Sequence, residues 1–472
     1  MDLTLPTVFG LTALILVLAV IAVRISRRFG LPTLLLYLGI GMLLGSGALG
    51  IEFDDTLLTE HLGLAALVAV GSTLASTVCL IWATRRRRNL AVYTPPVTVF
   101  KPLKGLDEEL EENLRSFFRL DYPVYQLLFC VADPDDPAIA VVRRLMLEFP
   151  AADARLIVGC PAFGLNPKVE SLAAMAPHRK HDVILISDSN VRARPSYLRE
   201  TACYLAEPGV GLATNLFVGV GQRRAGAVME NLQLNGYTAG GMALASTLGV
   251  TCVVGKSMMM PARVLEAIGG FAGVRNLLAE DQVVGVLVRK AGYSIRLSHH
   301  VIENVNRNRD FTWFLNRHSR WFKIRRRMAL PAFLLEPLAN LATIGLVWAF
   351  SGDSGLAWGG LLGLVGLGMA RDAFQTRWLG GPRIKLRHLL YSPIKDVMLL
   401  PLWFDALVNS RVQWRGHRFH VGRLTRLRAA RPPRDVRRRM RRARRRRIQH
   451  GASGGFTSRL RFWSEDSSKP GA

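Results

Sequence analysis

A chain of 472 residues has room for a catalytic-size domain plus accessory elements, and half of these residues are hydrophobic. The apolar residues lie in clustered runs, which argues against an ordinary water-soluble protein. The formal charge of +27 is uneven, because Arg423 to Arg447 holds 14 Arg against one Asp, so it does not describe one uniformly basic surface.

Phe9–Val23, Leu31–Leu49 and Leu62–Ala83 are three apolar runs, each near the ~20 residues that cross a bilayer as a helix. The first is read as a retained anchor rather than a cleaved signal. Arg24, Arg27 and Arg28 follow the first run, Glu52 to Glu60 follows the second, and Arg85 to Arg88 follows the third. The positive-inside rule then puts both arginine groups in the cytoplasm and the acidic loop outside. The chain from Val97 onward starts in the cytoplasm. Cys79, Cys130, Cys160, Cys203 and Cys252 form no CxxC pair, which fits a reducing compartment without disulfides or structural zinc.

Residues 27–67, RRFGLPTLLLYLGIGMLLGSGALGIEFDDTLLTEHLGLAAL, resemble the N-terminal helices of a monovalent cation/proton antiporter. That resemblance implies a truncated, transporter-derived membrane protein as a different class of function. The chain changes character after Ala83, and the ion-binding helices of such a transporter are missing. The segment is therefore read as an acquired anchor or a gene-start fusion.

Residues 97–330 alternate strand and helix patterns. Val97–Phe100 reads as a strand and Lys101 to Gly105 as the loop after it. Helical spacing follows over Asp107–Leu120, then a strand at Tyr125–Val131 and the Asp133-Pro134-Asp135-Asp136-Pro137 loop. A helix (Ala138–Glu148), a strand (Ala154–Val158), the Asn166-Pro167-Lys168 loop, a further helix and the Val183–Ile186 strand complete a βαβαβ pattern. It predicts a mostly parallel sheet with helices on its faces. Asp188, Ser189 and Asn190 follow that last strand, where α/β sheets bind ligands. A carboxylate there suits a hard cation holding phosphates, and an Asp/Ser/Asn turn is the ordinary reading.

Leu330–Phe350 and Ala357–Met369 are two further apolar helices. Tyr391–Leu407 carries Pro393, Lys395, Asp396, Pro401 and Asp405, and a crossing there would put the arginine tail outside. It is read as an amphipathic or re-entrant segment at the cytoplasmic face. The tail is expected to bind anionic membrane rather than nucleic acid, since the chain is already anchored beside a bilayer. Gly451–Ala472 reads as disordered. The expected domains are 1–60 (antiporter-like helix pair), 61–88 (anchor), 97–328 (catalytic), 330–410 (membrane and interfacial helices) and 411–472 (basic tail).

Seven pieces of the middle region occur in one order: FKPLKGLDEELEENLRSFFRLDYP, CVADPDDPAIAVVRRL, ARLIVG, NPKVESL, ISDSNVRARPSYL, LAEDQVVGVLVRKAGYSIRLS and RHSRW. Together they resemble the ceramide glucosyltransferases, membrane glycosyltransferases with a GT-A-type, Rossmann-like α/β fold. The resemblance implies an inverting transfer of a sugar, glucose from UDP-glucose, to the hydroxyl of a ceramide-like lipid. A UDP-sugar such as UDP-N-acetylglucosamine with a hopanoid polyol or diacylglycerol acceptor is the close variant. It also implies roles for particular residues. Asp136, with Asp133 as the alternative, would contact the nucleotide, although Asp136 also suits a helix start at Pro137. Asp188 would hold Mg²⁺ or Mn²⁺ on the donor diphosphate, with Asn190 standing where many relatives in the wider superfamily carry a second acid. Asp281 would be the general base and Glu280 its support, although two acids also suit a helix start. Arg317, Arg320 and Trp321 would clamp the diphosphate and wall the acceptor. Lys104 and Lys168 would be donor contacts. His299, His300 and His318 show no ligand spacing and read as structural.

Overall fold

The computed structural model describes residues 56–85, 92–160, 163–351, 355–414 and 417–429. The expectations for the first two apolar runs, for residues 27–55 of the antiporter-like segment and for the tail beyond Ala429 lie outside these residues. The first described element, α1 (Thr56–Arg85), contains the third apolar run. Within it His61–Arg85 is the one described helix long and apolar enough to cross a membrane. Ala66 and Ala69 pack on Leu341, Ile344 and Leu364, while Leu67, Leu74, Val78 and Trp82 stay exposed.

The catalytic-size region is built on an eight-stranded mixed sheet in the order β3-β2-β1-β4-β7-β6-β8-β5. The strands are β1 (Val97–Leu103), β2 (Tyr125–Val131), β3 (Ala154–Val158), β4 (Val183–Ile186), β5 (Val191–Arg192), β6 (Val210–Val220), β7 (Met258–Pro261) and β8 (Ser294–Val305). The helices around them are α2 (Leu110–Phe118), α3 (Ala138–Glu148), α4 (Pro167–Met175), α5 (Ala225–Leu232), α6 (Ala239–Thr247) and α7 (Glu280–Lys290). β1 lies between β2 and β4, parallel to both, and all seven of its residues are buried. Burial on both faces is what a parallel strand covered by helices requires. One core cluster joins Val97, Val99, Leu114, Phe117, Leu127 and Phe129, and the other joins Phe100, Leu128, Val169, Ile184 and Ile186.

The sheet is mostly parallel, as the pattern implies, with two reversed strands. The four strands β3-β2-β1-β4 are parallel, but β7 runs antiparallel to β4 and to β6. The βαβ rhythm ends at Ile186; after it β6 and β8 still run in the direction of β4, while β7 and β5 run against it. β1 also runs three residues beyond its expected end. Lys101 sits in the strand, fully buried. Its ammonium donates to the Asp188 backbone carbonyl at 2.7 Å and reaches the Ser187 hydroxyl at 3.3 Å. It also lies 3.7 Å from the Phe117 ring, so strand-end partners replace the water a loop would have supplied.

Beyond the sheet, α8 (Phe311–Met328) carries the RHSRW sequence and leads to α9 (Leu341–Ser351), α10 (Gly355–Trp378) and α11 (Tyr391–Val408). Leu330–Ala339 and Leu341–Ser351 meet at 60° and pass as one span only if taken together. α11 is a continuous helix through Pro401, and its charges face protein rather than water. Lys395 Nζ lies 2.6 Å from Asp396 and 3.2 Å from Asp372 of α10, and Asp405 lies 2.8 Å from Lys323 of α8. A surface-lying amphipathic helix would direct these groups outward; here each has an opposite charge beside it.

Candidate active site

Asp188 follows β4 directly, at the carboxyl ends of the parallel strands. Ser187 N–H donates to the Phe100 carbonyl at 3.0 Å, which extends the β1–β4 ladder up to the acid. Lys168 meets Asp188 from the first turn of α4, its Nζ 2.9 Å from Asp188 Oδ1 and 3.1 Å from Glu280 Oε1. The local sequence explains that position. Asn166 caps α4 by accepting from the Lys168 and Val169 N–H groups, and Pro167 supplies the first helical residue without needing a hydrogen bond. The Asn166 amide then donates to the Leu277 carbonyl at 2.7 Å and to Glu280 Oε2 at 3.1 Å. The starts of α4 and α7 are thereby tied together. Burial alone would push the Lys168 ammonium down, but Asp188, Glu280 and Asp281 outweigh it and hold it above the ordinary lysine range.

Asp281 stands one residue into α7, where acids favour a helix start. Its carboxylate accepts from Gly255 N–H at 2.7 Å and Gln282 N–H at 2.8 Å. Burial and then the Glu280 charge push this carboxyl up to about 6, against the pull of Lys168 and the two amides. Gly255 is glycine for a steric reason: a Cβ there would lie 2.5 Å from Lys168 Nζ and 3.1 Å from Asp281 Oδ2. A carboxyl that titrates near neutrality in a partly covered position is matched to taking a proton.

The residues expected on the nucleotide side follow β2, which β1 separates from β4. Both Asp136 oxygens accept from Gly105 N–H, at 2.8 and 3.0 Å, and Oδ1 also accepts from Ala138 N–H at 2.9 Å. The helix-start reading of Asp136 is therefore realised, and the same carboxylate also fastens the loop carrying Lys104. Asp133 caps its own turn through Asp135 N–H at 3.0 Å. Lys104 is exposed.

On α8, Arg317 Nε lies 2.8 Å from Glu230 Oε1, and its guanidinium is held between Trp313 at 5.1 Å and Trp321 at 4.6 Å. Glu230, on α5, is fully buried and also receives His318 Nε2 at 2.9 Å. Arg317 thus has a firm inward partner, Arg320 stands half-buried one turn on, and Trp321 packs on the main core. His318 is a core residue, as its spacing implied. His300 pairs with Glu200 at 2.6 Å and His299 with the Tyr204 hydroxyl at 2.9 Å.

Lys256 is the residue that sequence reasoning missed. Buried, it donates to Asn190 Oδ1 at 3.2 Å. Burial and the neighbouring Arg317 push it down to about 8, against Asp188 and Glu230. Lys256 thus interacts with both the Asp188 and the Arg317 groups, which no single element brings together. The signal available was Gly255-Lys256-Ser257 at the end of the apolar Thr251–Val254 run. Glu230 had no such signal. A divalent cation would find a sparse donor set here: one carboxylate, Asp188, already shared with Lys168, and one amide oxygen, Asn190, already facing Lys256. Among the described residues no three His, Cys, Asp or Glu converge. The site fits a cation held mainly by a ligand's own phosphates, as Mg²⁺ commonly is.

Comparison with known proteins reaches the same region. Residues 63–427 match the family model for glycosyl transferase family 21. Ceramide glucosyltransferase 3 of Caenorhabditis elegans is 30% identical over 344 residues, 69% of this chain and 73% of that protein. The ceramide glucosyltransferase of Komagataella phaffii is 24% identical over 432 residues, 71% of this chain and 84% of that protein. Among solved structures, the mannosyltransferase PcManGT from Pyrobaculum calidifontis, in complex with GDP-Man and Mn²⁺, aligns over 73% of this chain and 99% of its own at 16% identity and a TM-score of 0.41. With the family model spanning both the sheet and α8, this chain belongs to glycosyl transferase family 21 and is a glycosyltransferase.

Proposed function

We propose that this glycosyltransferase moves glucose, with inversion, from UDP-glucose to the primary hydroxyl of a ceramide-like lipid, working at a membrane with its sheet domain on the cytoplasmic side. The observation that carries the proposal is the Lys168 cluster, which joins the donor-side acid Asp188 to the acceptor-side acids Glu280 and Asp281 through one buried ammonium. The relatives named for glucosylation of ceramide support the choice of sugar and lipid. α1 and the apolar helices after α8 support the membrane setting, and the arginine tail supports contact with an anionic leaflet. Nucleic acid is not an expected partner.

In this reading the uridine docks beside Asp133 and Asp136, with Lys104 near the phosphates. A Mg²⁺ or Mn²⁺ held by Asp188 and the donor would offset the charge that develops on the departing diphosphate. Lys168 and Lys256 add fixed positive charge on the same side, and Arg320 completes it, with Arg317 held in position by Glu230. The acceptor oxygen attacks the anomeric carbon from the opposite face, its proton passes to Asp281, and the bond to UDP breaks. One base and one displacement suffice, so no covalent enzyme intermediate forms. Glu280 keeps Lys168 in place while Asp281 changes charge.

Asp281→Asn tests this assignment. It is expected to abolish transfer while leaving UDP affinity within a few-fold of wild type. Loss of UDP binding in that variant would contradict the role of Asp281 as base.

A further inference from the structure

A small, partly open cleft lies where the helix continuing from α5 meets α8, α10 and α11. Its polar wall includes Gln233, Asn340, Arg371 and Asp396, and its apolar wall includes Leu399 and Trp403. Gln233 is only 4% exposed, and its side-chain carbonyl oxygen has no hydrogen-bond partner. A buried carbonyl without a donor is costly, so a donor that arrives from outside is the natural completion. The helix supplies a second sign. Between α5 and α6 it widens into a π-helical turn at Gln233–Thr238, a distortion that occurs frequently at functional sites.

The charges around the cavity define what it accepts. Arg371 lies 2.8 Å from Asp372 and 3.8 Å from Asp396, and Lys395 lies against the same two acids. Glu336, also in the wall, is paired with Arg325 at 2.8 Å. Each charge is balanced within the protein, so the cavity offers no net attraction to a phosphate or an amine. It suits a neutral head that carries an N–H or O–H donor and continues into hydrocarbon. Two of its lining residues share helices with the Arg317 group. Phe322 in its wall follows Trp321 directly, and Gln233 stands three residues after the Glu230 that holds Arg317.

We propose that this cavity is the acceptor subsite: Gln233 accepts a hydrogen bond from the amide or hydroxyl of a neutral amphiphile, and Leu399 and Trp403 hold the first carbons of its chains. The proposal rests on the lipid-acceptor reading above and adds the location and the neutrality of the head. The head group would enter from the open side of this cleft, with its chains lying along the apolar helices.

The test uses the full chain in nanodiscs, with UDP-glucose and a short-chain ceramide. Gln233→Leu removes an unpartnered oxygen and should fold at least as well as wild type. Leu400→Trp fills the cavity from α11. Both variants are expected to raise the ceramide KM at least tenfold, with the UDP-glucose KM and the slow hydrolysis of UDP-glucose without acceptor unchanged. A ceramide KM within twofold of wild type in both variants would overturn the subsite. A wild-type protein that hydrolyses UDP-glucose but glycosylates no neutral lipid would overturn the parent reading as well. If neither variant folds, a ceramide with a photoreactive group on its acyl chain decides the matter in wild type. Cross-links in the Leu399–Trp403 segment support the subsite, and cross-links confined to other segments overturn it.

Discussion

Lys168 Nζ lies 2.9 Å from Asp188 Oδ1, so the acid that ends β4 is matched by a cation delivered from the first turn of α4. The same ammonium reaches Glu280, which makes Lys168 the shared member of the proposed donor and acceptor sides. A buried ion pair gives little net stability while intact, and removing one partner leaves the other charge uncompensated.

Lys168→Met is therefore expected to destabilise the fold by about 3–5 kcal/mol and to remove transfer activity. Thermal unfolding in detergent together with a transfer assay checks both. An unchanged melting temperature would mean that the acids are neutral without Lys168.

Gly255 separates the two sides sterically. Gly255→Ala would insert a Cβ 2.5 Å from Lys168 Nζ, displacing a flexible side-chain end and the acid beside it. The predicted outcome is a folded protein with transfer reduced at least a hundredfold, measured against a melting curve close to wild type.

Asp281 sets a pH dependence. Its carboxyl is pushed up to about 6, and the base must be ionised to take a proton. The kcat/KM for transfer is thus expected to fall as pH drops through about 6, with UDP binding much flatter over that range. The stability linkage has the opposite sign. A raised carboxyl favours the folded state when protonated, and that contribution is lost as pH rises through about 6. Asp281→Asn should then melt no lower than wild type at pH 7.5.

Lys256 and Asn190 determine how much the site depends on a cation. Lys256→Met is expected to raise the UDP-sugar KM about tenfold, since it removes a buried positive charge next to Asn190 and near Asp188. Asn190→Asp adds a second acid at the strand end. It should lower the Mg²⁺ or Mn²⁺ concentration giving half-maximal transfer, and more so when combined with Lys256→Met.

Much of this site was legible because its acids sit at pattern-defined places. Asp188 follows a four-residue apolar strand, Asp281 opens a helix, and the apolar spacing of Leu110, Leu114 and Phe117 marks the helix that covers β1. What was not legible came from tertiary pairing. Lys101 looked like a loop residue because a lysine inside a parallel strand needs partners, and its partners are a backbone carbonyl and a serine more than eighty residues away. Lys395 and Asp396 made α11 look surface-bound, since Asp372, the acid that balances Lys395, lies on another helix. Glu230 carries no spacing signal at all and Lys256 only its place after a short apolar run; their importance appears when α5, α8 and the segment before β7 are brought together.

The most direct test of the central claim feeds membranes bearing the protein with radiolabelled UDP-glucose, UDP-galactose and UDP-N-acetylglucosamine in parallel, and resolves the lipid products. The expected result is a labelled glycolipid from UDP-glucose that is ceramide-dependent and disappears in Asp281→Asn. Absence of lipid-linked label from every donor would contradict it.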